Sequence, residues 1–304
     1  MTRQAVLLMA YGTPERLDDV EAYYTHIRRG SPPPPALLEE LIERYRAVGG
    51  PTALNRITRD QAAALEAELA RRGLVAPVRV GFKHHPPFIA EAVRGLAADG
   101  FERAVGLVLA PHYSLRSVAE YERYAEDARP RGLEIDLIRS WHDHPPFLDF
   151  LAARLAETHA AAGGEAAVLF TAHSVPARVM EKGDPYPDQL RETSAAVAAR
   201  AGVGPWDFAY QSAGRTGEEW LGPDVVDAVA ALAGRGERAV VVQAIGFVSD
   251  HLEVLYDLDV EARRATESHG MTYARVPMPN ADGAFIGALA ELVEPRLAVS
   301  LQKE

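Results

Sequence analysis

Residues 167–176 read AVLFTAHSVP, and the interpretation of the fold starts from this stretch. A run of apolar residues leads to a histidine, His173, just before a turn that contains a proline. Residues 6–14, VLLMAYGTP, repeat the pattern with Tyr11 in the place of the histidine. Near-continuous apolar strands are typical of a parallel sheet covered on both faces. The repeat therefore predicts two related units, each built around one of these strands.

The rest of the chain alternates apolar strands with alanine-rich amphipathic helices. Strands are predicted at residues 4–10, 104–110, 166–172 and 239–245, and helices at residues 59–72, 87–99, 147–161, 187–201 and 223–233. Strands separated by helices indicate βαβ units. We predict an α/β protein with two similar Rossmann-like lobes, in which helices flank parallel sheets. The N-terminal lobe is predicted at residues 1–150 and the C-terminal lobe at residues 151–304, and a return of the C-terminal segment to the first lobe stays open.

Composition narrows the function classes. The chain of 304 residues is 48% hydrophobic and 25% charged, as is ordinary for a protein with a sizeable core. Its net charge of −11 argues against nucleic acid as a partner, because phosphate binding needs a basic surface. The lack of cysteine excludes disulfides, thiolate metal sites and cysteine-ligated clusters. No apolar run approaches the ~20 residues of a membrane span, so we expect a cytoplasmic protein without a transmembrane anchor.

Chemistry is expected beyond the carboxyl ends of the strands, where open parallel sheets bind their ligands. This edge collects Tyr11, His112, His173 and residues 249–253. Taken alone, His173 is also compatible with a structural histidine in a loop.

An acidic segment, VSDHLEVLYDLDVE at residues 248–261, adds a second signal. Glu253, Asp257 and Glu261 are spaced so that a regular helix places three carboxylates in one row. Hard oxygen ligands of this kind suit the passage of a divalent cation. The alternative is a solvated acidic face near the start of a helix.

Arginine, tyrosine and hydroxyl residues are concentrated in the first half. Residues 23–30, YYTHIRRG, carry Arg28 and Arg29, and residues 44–58, RYRAVGGPTALNRIT, carry further members of this group. Arginine forks bind carboxylates through two parallel hydrogen bonds, although a solvated arginine-bearing helix is the alternative. Residues 81–88, GFKHHPPF, add Lys83 and His84 at a predicted strand-to-helix turn, without the spacing of a closed zinc site. Trp220 lies in a loop where its ring can cover a flat ligand or pack in the core.

Together these segments resemble the ferrochelatase family, in the family's order and over about residues 5–295. The resemblance rests on LLMAYGTP, YYTHIRRG, RYRAVGGPTALNRIT, VGFKHHPPF, VLAPHYS, FTAHSVP, KGDPYPDQL, YQSAGRTGEEWLGPD and GFVSDHLEVLYDLD. It is nearest to the short, cysteine-free branch of Gram-positive bacteria, which acts on coproporphyrin III. The resemblance implies two chelatase-like α/β lobes with the porphyrin in a cleft between them.

The resemblance also assigns roles to residues of this sequence. It implies that His173 and Glu253 are the catalytic pair, which binds ferrous iron and handles the pyrrole protons, and that Tyr11 is an axial ligand to product iron. Substrate-binding roles fall on Tyr11, Arg28, Arg44, Tyr45, Thr52, Lys83, His84, Tyr121 and Trp220. To these the residue pattern itself adds Arg29, from the arginine cluster, as a substrate-binding residue, and Asp257 and Glu261, from the carboxylate spacing, as a path for the metal. Thr52 departs from the serine expected in the family, which keeps the hydroxyl group and adds a methyl group.

The implied activity is the insertion of Fe²⁺ into coproporphyrin III to form coproheme in heme biosynthesis. Fe²⁺ is then a substrate, no cofactor is permanently bound, and a monomer with transient contacts to heme-pathway enzymes is expected. Coproporphyrin III has two more propionates than protoporphyrin IX and therefore needs more partners. Arg28, Arg29, Arg44 and Thr52 can supply them, which favours coproporphyrin III as the substrate. Three alternatives stay open: a ferrochelatase acting on protoporphyrin IX, a relative that inserts cobalt or nickel, and a non-enzymatic porphyrin or heme carrier.

Overall fold

A computed structural model describes residues 3–214 and 217–298 of the chain. Contacts within the chain divide it into two compact units. The first unit comprises residues up to Trp141 together with residues from Pro279 onward, and the second unit is His142–Met278. Residue 150, after which the sequence prediction divided the chain, lies inside a helix of the second unit, Pro145–Ala161.

The first unit is built around a parallel sheet with the strand order β2-β1-β3-β4. Its central strand β1 is buried from Ala5 to Ala10, because it pairs on one side with β2 and on the other with β3. Up to residue 141 its elements are β1 (Gln4–Ala10), α1 (Val20–Ile27), α2 (Pro35–Ala47), α3 (Leu54–Arg71), β2 (Val78–Phe82), α4 (Ile89–Ala98), β3 (Arg103–Val108), α5 (Val118–Ala128) and β4 (Glu134–Ile138).

The second unit repeats this arrangement, with a parallel sheet in the order β6-β5-β7-β8. Strand β5 takes the place that β1 takes in the first sheet, so the two stretches that resemble each other in sequence are equivalent in topology. The elements are α6 (Pro145–Ala161), β5 (Ala167–His173), α7 (Tyr186–Ala201), β6 (Trp206–Gln211), α8 (Val225–Gly234), β7 (Ala239–Ala244), α9 (Leu252–Tyr256), a π-helical turn (Asp257–Ala262), α10 (Arg263–Ser268) and β8 (Thr272–Arg275). The predicted fold class, two similar α/β units with parallel sheets, is confirmed.

The last described helix, α11 (Gly283–Ala298), belongs to the first unit. Its apolar residues Phe285, Leu289 and Val293 are buried. Arg72 at the end of α3 reaches it through an ion pair of 3.0 Å between Nη1 and Glu294 Oε2. The side chain of Gln4 donates to the carbonyl oxygen of Leu297 at 3.1 Å. The first sheet is therefore covered by a helix that follows the whole second unit in the chain.

The acidic segment departs from the regular helix that the sequence analysis assumed. Helix α9 ends at Tyr256, and a π-helical turn carries Asp257 and Glu261. The wider turn rotates Glu261 away from the position it would have on a regular α-helix. The three carboxylates therefore do not follow the simple row expected from their spacing.

Across the described residues, no helix combines the length and the apolar composition that crossing a membrane requires.

Candidate functional site

His173 and Glu253 meet at the carboxyl edge of the second sheet. His173 is the last residue of β5, and Glu253 lies in α9, which follows β7. The strand order reverses between β5 and β7, which is where open α/β sheets bind ligands. The distance from His173 Nε2 to Glu253 Oε1 is 3.4 Å, and about a third of each side chain is exposed. The pair is therefore held by the fold and remains accessible to a small ion.

The imidazole of His173 has a defined orientation. Its Nδ1 donates to the carbonyl oxygen of Ser174, which can only accept, so Nδ1 carries a proton. The hydroxyl of Tyr186 donates to the backbone carbonyl oxygen of His173 at 3.1 Å. Nε2 is consequently the ring atom that faces Glu253 and that can bind a metal or take up a second proton.

Glu253 lies between two imidazoles. Its Oε1 faces His173, and its Oε2 lies 3.5 Å from His251 Nε2. Its backbone carbonyl oxygen accepts a hydrogen bond of 2.9 Å from the side chain of Gln211 at the end of β6. The carboxylate therefore has polar neighbours on both oxygens as well as a fixed backbone.

The electrostatic environment couples the two groups. Burial disfavours the charged form of His173, but the charge of Glu253 and hydrogen bonds to Glu253 and Ser174 outweigh it and raise the pKa of His173 to about 9. Burial likewise works against ionised Glu253, yet His173 and His251 together hold the pKa of that carboxyl far below its ordinary value. At neutral pH the pair is an imidazolium beside a carboxylate, with a proton on Nε2 in addition to the one on Nδ1.

Aromatic rings surround His173. The ring centroids of Trp220 and Phe247 lie 6.4 and 6.5 Å from that of His173. Gly214 allows Trp220 to pack there, because a Cβ atom at this position would lie 2.4 Å from Cζ2 of the indole. Trp220 thus lies beside His173 and provides a flat apolar surface, and its role in substrate binding stays a prediction.

In the first unit, Tyr11 directly follows β1 and is 40% exposed. The next residue, Gly12, has a φ of +86°, and a Cβ atom there would lie 2.8 Å from Cβ of His85. The tight turn therefore depends on glycine and leaves the phenol of Tyr11 accessible at the carboxyl edge of the sheet.

Lys83 and His84, which follow β2, lie close to Tyr11. The ring centroids of Tyr11 and His84 are 4.6 Å apart. Lys83 Nζ lies 5.5 Å from the ring centroid of Tyr11 and 5.4 Å from that of Tyr121. The structure thus brings together four residues that the sequence analysis singled out separately.

Glu120 and His26 complete this cluster. Glu120 lies 2.6 Å from Lys83 Nζ and 3.6 Å from Arg29 Nη2, so one carboxylate faces two cations. His84 Nδ1 lies 3.0 Å from His26 Nδ1, which requires one of the two rings to donate. Burial, followed by the charges of Lys83 and His26, lowers the pKa of His84 to about 3. His84 is therefore neutral at physiological pH, and the local positive charge comes from Lys83 and Arg29.

The remaining arginines contact their own helices. The guanidinium of Arg28 lies 5.9 Å from the ring centroid of Tyr24. Arg44 forms an ion pair of 3.2 Å with Glu40, one turn away on α2. Their roles in substrate binding stay predictions.

Tyr45 lies behind the turn that carries Tyr11, and Thr52 lies just before the start of α3. Tyr45 is buried, and its hydroxyl lies 3.0 Å from Thr13 Oγ1, so it supports the turn that presents Tyr11. The buried Thr52 Oγ1 has no hydrogen-bond partner among residues 3–214 and 217–298. Contacts of these two residues with a substrate stay predictions.

The metal path proposed for Asp257 and Glu261 also stays a prediction. Asp257 is buried and accepts a hydrogen bond from the hydroxyl of Ser212, whereas Glu261 is half-buried. Within the part of the chain that the structure describes, no group of three or more His, Asp or Glu side chains is arranged to hold a metal ion. His112, expected at the edge of the first sheet, is buried after β3.

Several residues with defined places in the site were not assigned from the sequence. His251 stands two positions before Glu253, and this spacing was a signal that could have indicated it. Gln211, Tyr186, Glu120 and His26 meet the site through contacts between distant segments, so sequence spacing gave no indication of them.

Comparisons with known proteins identify the family of the chain. A ferrochelatase family model matches residues 3–297. The chain is 43% identical to the coproporphyrin III ferrochelatase of Geobacillus sp. (strain WCH70), covering 97% of this chain and 98% of the relative. The identity to the coproporphyrin III ferrochelatase of Bacillus subtilis (strain 168) is also 43%, over 97% of this chain and 98% of the relative. Among solved structures, SirB from Bacillus subtilis with Fe³⁺ shares the fold, with a TM-score of 0.58 at 12% identity over 99% of this chain and 98% of that one. With a family match over almost its whole length, this chain belongs to the ferrochelatase family.

Proposed function

We propose that the protein is a lyase that inserts Fe²⁺ into coproporphyrin III, forming coproheme in heme biosynthesis. The contact of 3.4 Å between His173 Nε2 and Glu253 Oε1 carries the proposal. It joins an imidazole and a carboxylate, two groups that bind Fe²⁺ and accept protons. The names of the relatives at 43% identity support the choice of reaction and substrate.

The pair in the second unit accounts for both the metal and the protons. Insertion removes two N–H protons from the porphyrin and places Fe²⁺ between its four nitrogens. In the absence of metal Nε2 already carries a proton, because the pKa of His173 lies above neutral pH. Fe²⁺ that binds Nε2 must displace this proton to solvent. As the iron moves from Nε2 to the ring nitrogens, Nε2 becomes able to accept one of the two N–H protons, and Glu253 or solvent takes the other.

Two protein ligands suit a metal that has to be handed on. A complete set of protein ligands would bind the ion too tightly for it to be transferred to the porphyrin. Interactions that are equally strong in the ground state and in the transition state do not speed the reaction. The partly exposed His173 and Glu253 leave coordination positions for water or for porphyrin nitrogens. Trp220 and Phe247 offer apolar surface for the flat ring next to this pair.

Residues of the first unit are proposed to bind the porphyrin itself. Arg28, Arg29 and Arg44 provide guanidinium groups for propionates, and the buried hydroxyl of Thr52 adds a donor. Lys83 and His84 flank Tyr11, whose accessible phenol is proposed as the axial ligand to product iron. Coproporphyrin III has two more propionates than protoporphyrin IX, and this number of donors favours the more highly charged substrate.

We further propose that the enzyme works in the cytoplasm, as a monomer, with Fe²⁺ as a substrate and without a permanently bound cofactor. The cysteine-free sequence supports a reducing compartment, because the protein needs no disulfide there. One chain carries both the proposed metal ligands and the proposed porphyrin-binding residues, which supports a monomer. Contacts with other heme-pathway enzymes are proposed to be transient.

Anaerobic steady-state assays test the proposal. The purified protein is mixed with Fe²⁺ and either coproporphyrin III or protoporphyrin IX, and the loss of free-base porphyrin absorption is followed. We expect multiple turnovers and a higher kcat/KM for coproporphyrin III. Preference for protoporphyrin IX would overturn the substrate assignment, and tight porphyrin binding without turnover would identify a carrier. Parallel assays with Co²⁺ and Ni²⁺ determine whether iron is the preferred metal.

A further inference from the structure

A buried hydrogen-bonded chain connects the strand of His173 to the backbone of Glu253. Thr171, two residues before His173 on β5, donates from Oγ1 to Gln211 Oε1 at 3.0 Å. Gln211 Nε2 then donates to the carbonyl oxygen of Glu253 at 2.9 Å. Thr171 and Gln211 are fully buried. The contact with Thr171 fixes the orientation of the amide, because only Oε1 can accept from the hydroxyl.

Gln211 is also in register with His173. The two residues are paired across β5 and β6, so the amide starts from the level of His173 at the edge of the sheet. Its second contact is the backbone of α9 at Glu253 itself. One side chain therefore connects the two elements that carry the proposed iron ligands.

We propose that Gln211 is a positioning residue, which sets the distance between Glu253 and His173. The inference deepens the proposed function and rests on it, because it concerns the same pair. Gln211 does not touch the metal or the porphyrin; it acts through the backbone of Glu253. The hydrogen bond to the backbone of Glu253 keeps its carboxylate at a fixed distance from His173, which a short helix such as α9 does not maintain alone.

The substitution Gln211→Met tests this while keeping the fold. It preserves the length of the side chain and removes both hydrogen bonds. The carbonyl oxygen of Glu253 also accepts from the backbone N–H of Asp257, so it keeps a partner in the variant. Gln243→Met is the matched control, since Gln243 is a buried glutamine on the neighbouring strand β7 whose amide donates to Leu151 at 3.0 Å, away from the pair.

A second pair of variants tests the chain from its other end. Thr171→Val removes the hydroxyl that orients Gln211 and keeps the shape of the side chain, whereas Thr171→Ser keeps the hydroxyl. If orientation of the amide matters, the valine variant resembles Gln211→Met and the serine variant restores activity.

Kinetics and crystal structures of these variants decide the question. For Gln211→Met and Thr171→Val we expect kcat/KM for Fe²⁺ to fall roughly tenfold to a hundredfold, the range for a misplaced catalytic group, with KM for coproporphyrin III unchanged. Gln243→Met and Thr171→Ser should retain wild-type kinetics. Crystal structures should show Glu253 displaced from His173 in Gln211→Met and in Thr171→Val, but not in Gln243→Met or Thr171→Ser.

The outcomes separate this inference from the proposed function. Wild-type kinetics in Gln211→Met, or an unchanged separation of His173 and Glu253 in its crystal structure, would overturn the positioning role. Equal losses in Gln211→Met and Gln243→Met would also overturn it, because they would indicate a general effect on stability. A wild-type protein without chelatase turnover would instead refute the proposed function, and the crystal structures would still decide whether Gln211 holds Glu253 in place.

Discussion

At the scale of single residues, His173 and Glu253 derive their properties from each other. The orientation of the imidazole comes from Ser174, and the raised pKa comes from the carboxylate. The pair stabilises the fold most between about pH 4.5 and 6.5, where both groups are charged in the folded and in the unfolded protein and the contact between them exists only in the folded one. For His173 this contribution is complete below its ordinary pKa of 6.5 and is lost as the pH rises through about 9. For Glu253 it is complete above its ordinary pKa of 4.5 and is lost in more acidic solution.

The coupling predicts a measurable titration. In the metal-free protein, NMR of the imidazole ring of His173 should give a pKa of about 9, well above the ordinary 6.5. Glu253→Gln should lower this pKa, because it removes the charge that favours imidazolium. Glu267→Gln, on the exposed surface of α10, is the control and should leave the titration unchanged. A His173 that titrates at 6.5 or below in the wild type would contradict the prediction.

Substitutions should separate metal handling from porphyrin binding. We expect His173→Ala to reduce kcat by roughly 10²–10⁴-fold, because it removes a proton acceptor and metal ligand, while coproporphyrin III still binds. Arg28→Ala should weaken porphyrin binding by about fivefold, as is typical of an exposed ion pair, and leave kcat nearly unchanged. Fluorescence titration of the porphyrin and steady-state assays measure the two effects. Normal turnover in His173→Ala would refute the assignment.

The sequence indicated the two members of the His173–Glu253 pair better than the residues that support them. His173 could be predicted because it ends an apolar strand, and Glu253 because it lies in an acidic segment of a recognisable family motif. Gln211 and Tyr186 could not be, since their roles arise from hydrogen bonds to the backbone of distant residues. Because every residue has a backbone carbonyl, a side chain that binds one does not require any particular residue type at the partner position, and the sequence does not reveal the contact.

At the scale of elements, the position of a strand in the sheet determined whether it could be predicted. The four strands found from sequence, β1, β3, β5 and β7, are the inner strands of the two described sheets. The strands β2, β4, β6 and β8 are all at edges, where exposure interrupts the apolar run, and bounds were predicted for none of them; only the end of β2 was expected, at the turn that carries Lys83. The π-helical turn after α9 was missed because a spacing pattern assumes regular α-helical geometry.

One of these edge strands holds the acidic segment in place. Arg275 at the end of β8 binds Asp259 of the π-helical turn through Nε at 2.8 Å and Nη2 at 2.9 Å. Its Nη2 also lies 3.2 Å from Oδ1 of Asp250, which precedes α9. The guanidinium is mostly buried, so this fork connects both ends of the segment that carries Glu253.

Replacing the fork should weaken the second unit. We expect Arg275→Lys to lower the free energy of unfolding by about 2 kcal/mol, because the charge remains and the parallel hydrogen bonds are lost. Arg263→Lys is the control, since Arg263 approaches the same Asp259 at 3.8 Å from an exposed position. Urea denaturation followed by circular dichroism measures both variants. Equal effects in the two would contradict a specific role for Arg275.

At the scale of the whole molecule, the first unit depends on a helix from the far end of the described chain. Phe285 of α11 is fully buried, and its ring centroid lies 6.2 Å from that of Trp141. The packing of α11 against α3 and the ion pair of Arg72 with Glu294 join segments separated by the entire second unit. The sequence left this return open, because α11 is mostly apolar, with charges only at Glu291, Glu294 and Arg296, and this composition carries no signal for its partner.

This dependence predicts which part of the molecule responds to a cavity in α11. Phe285→Ala should cost about 3–5 kcal/mol and reduce the hydrogen-exchange protection of β1 and α3. Leu190→Ala, at a fully buried position of α7, should instead reduce protection in β5 and β6. Mass spectrometry after deuterium exchange measures both patterns. Loss of protection confined to the second unit in Phe285→Ala would contradict the assignment of α11.

The place of α11 in the chain also sets an order for biosynthesis. Residues 142–278 form an uninterrupted segment, and all of it leaves the ribosome before α11 does. The first sheet, although its strands are made earlier, lacks its last helix until residues 283–298 have emerged. We therefore expect the sheet of the second unit to be completed before that of the first, the reverse of the usual order in which the N-terminal part folds first. Until α11 has emerged, the apolar surface that it covers is exposed, and a chaperone that acts on nascent chains can bind there.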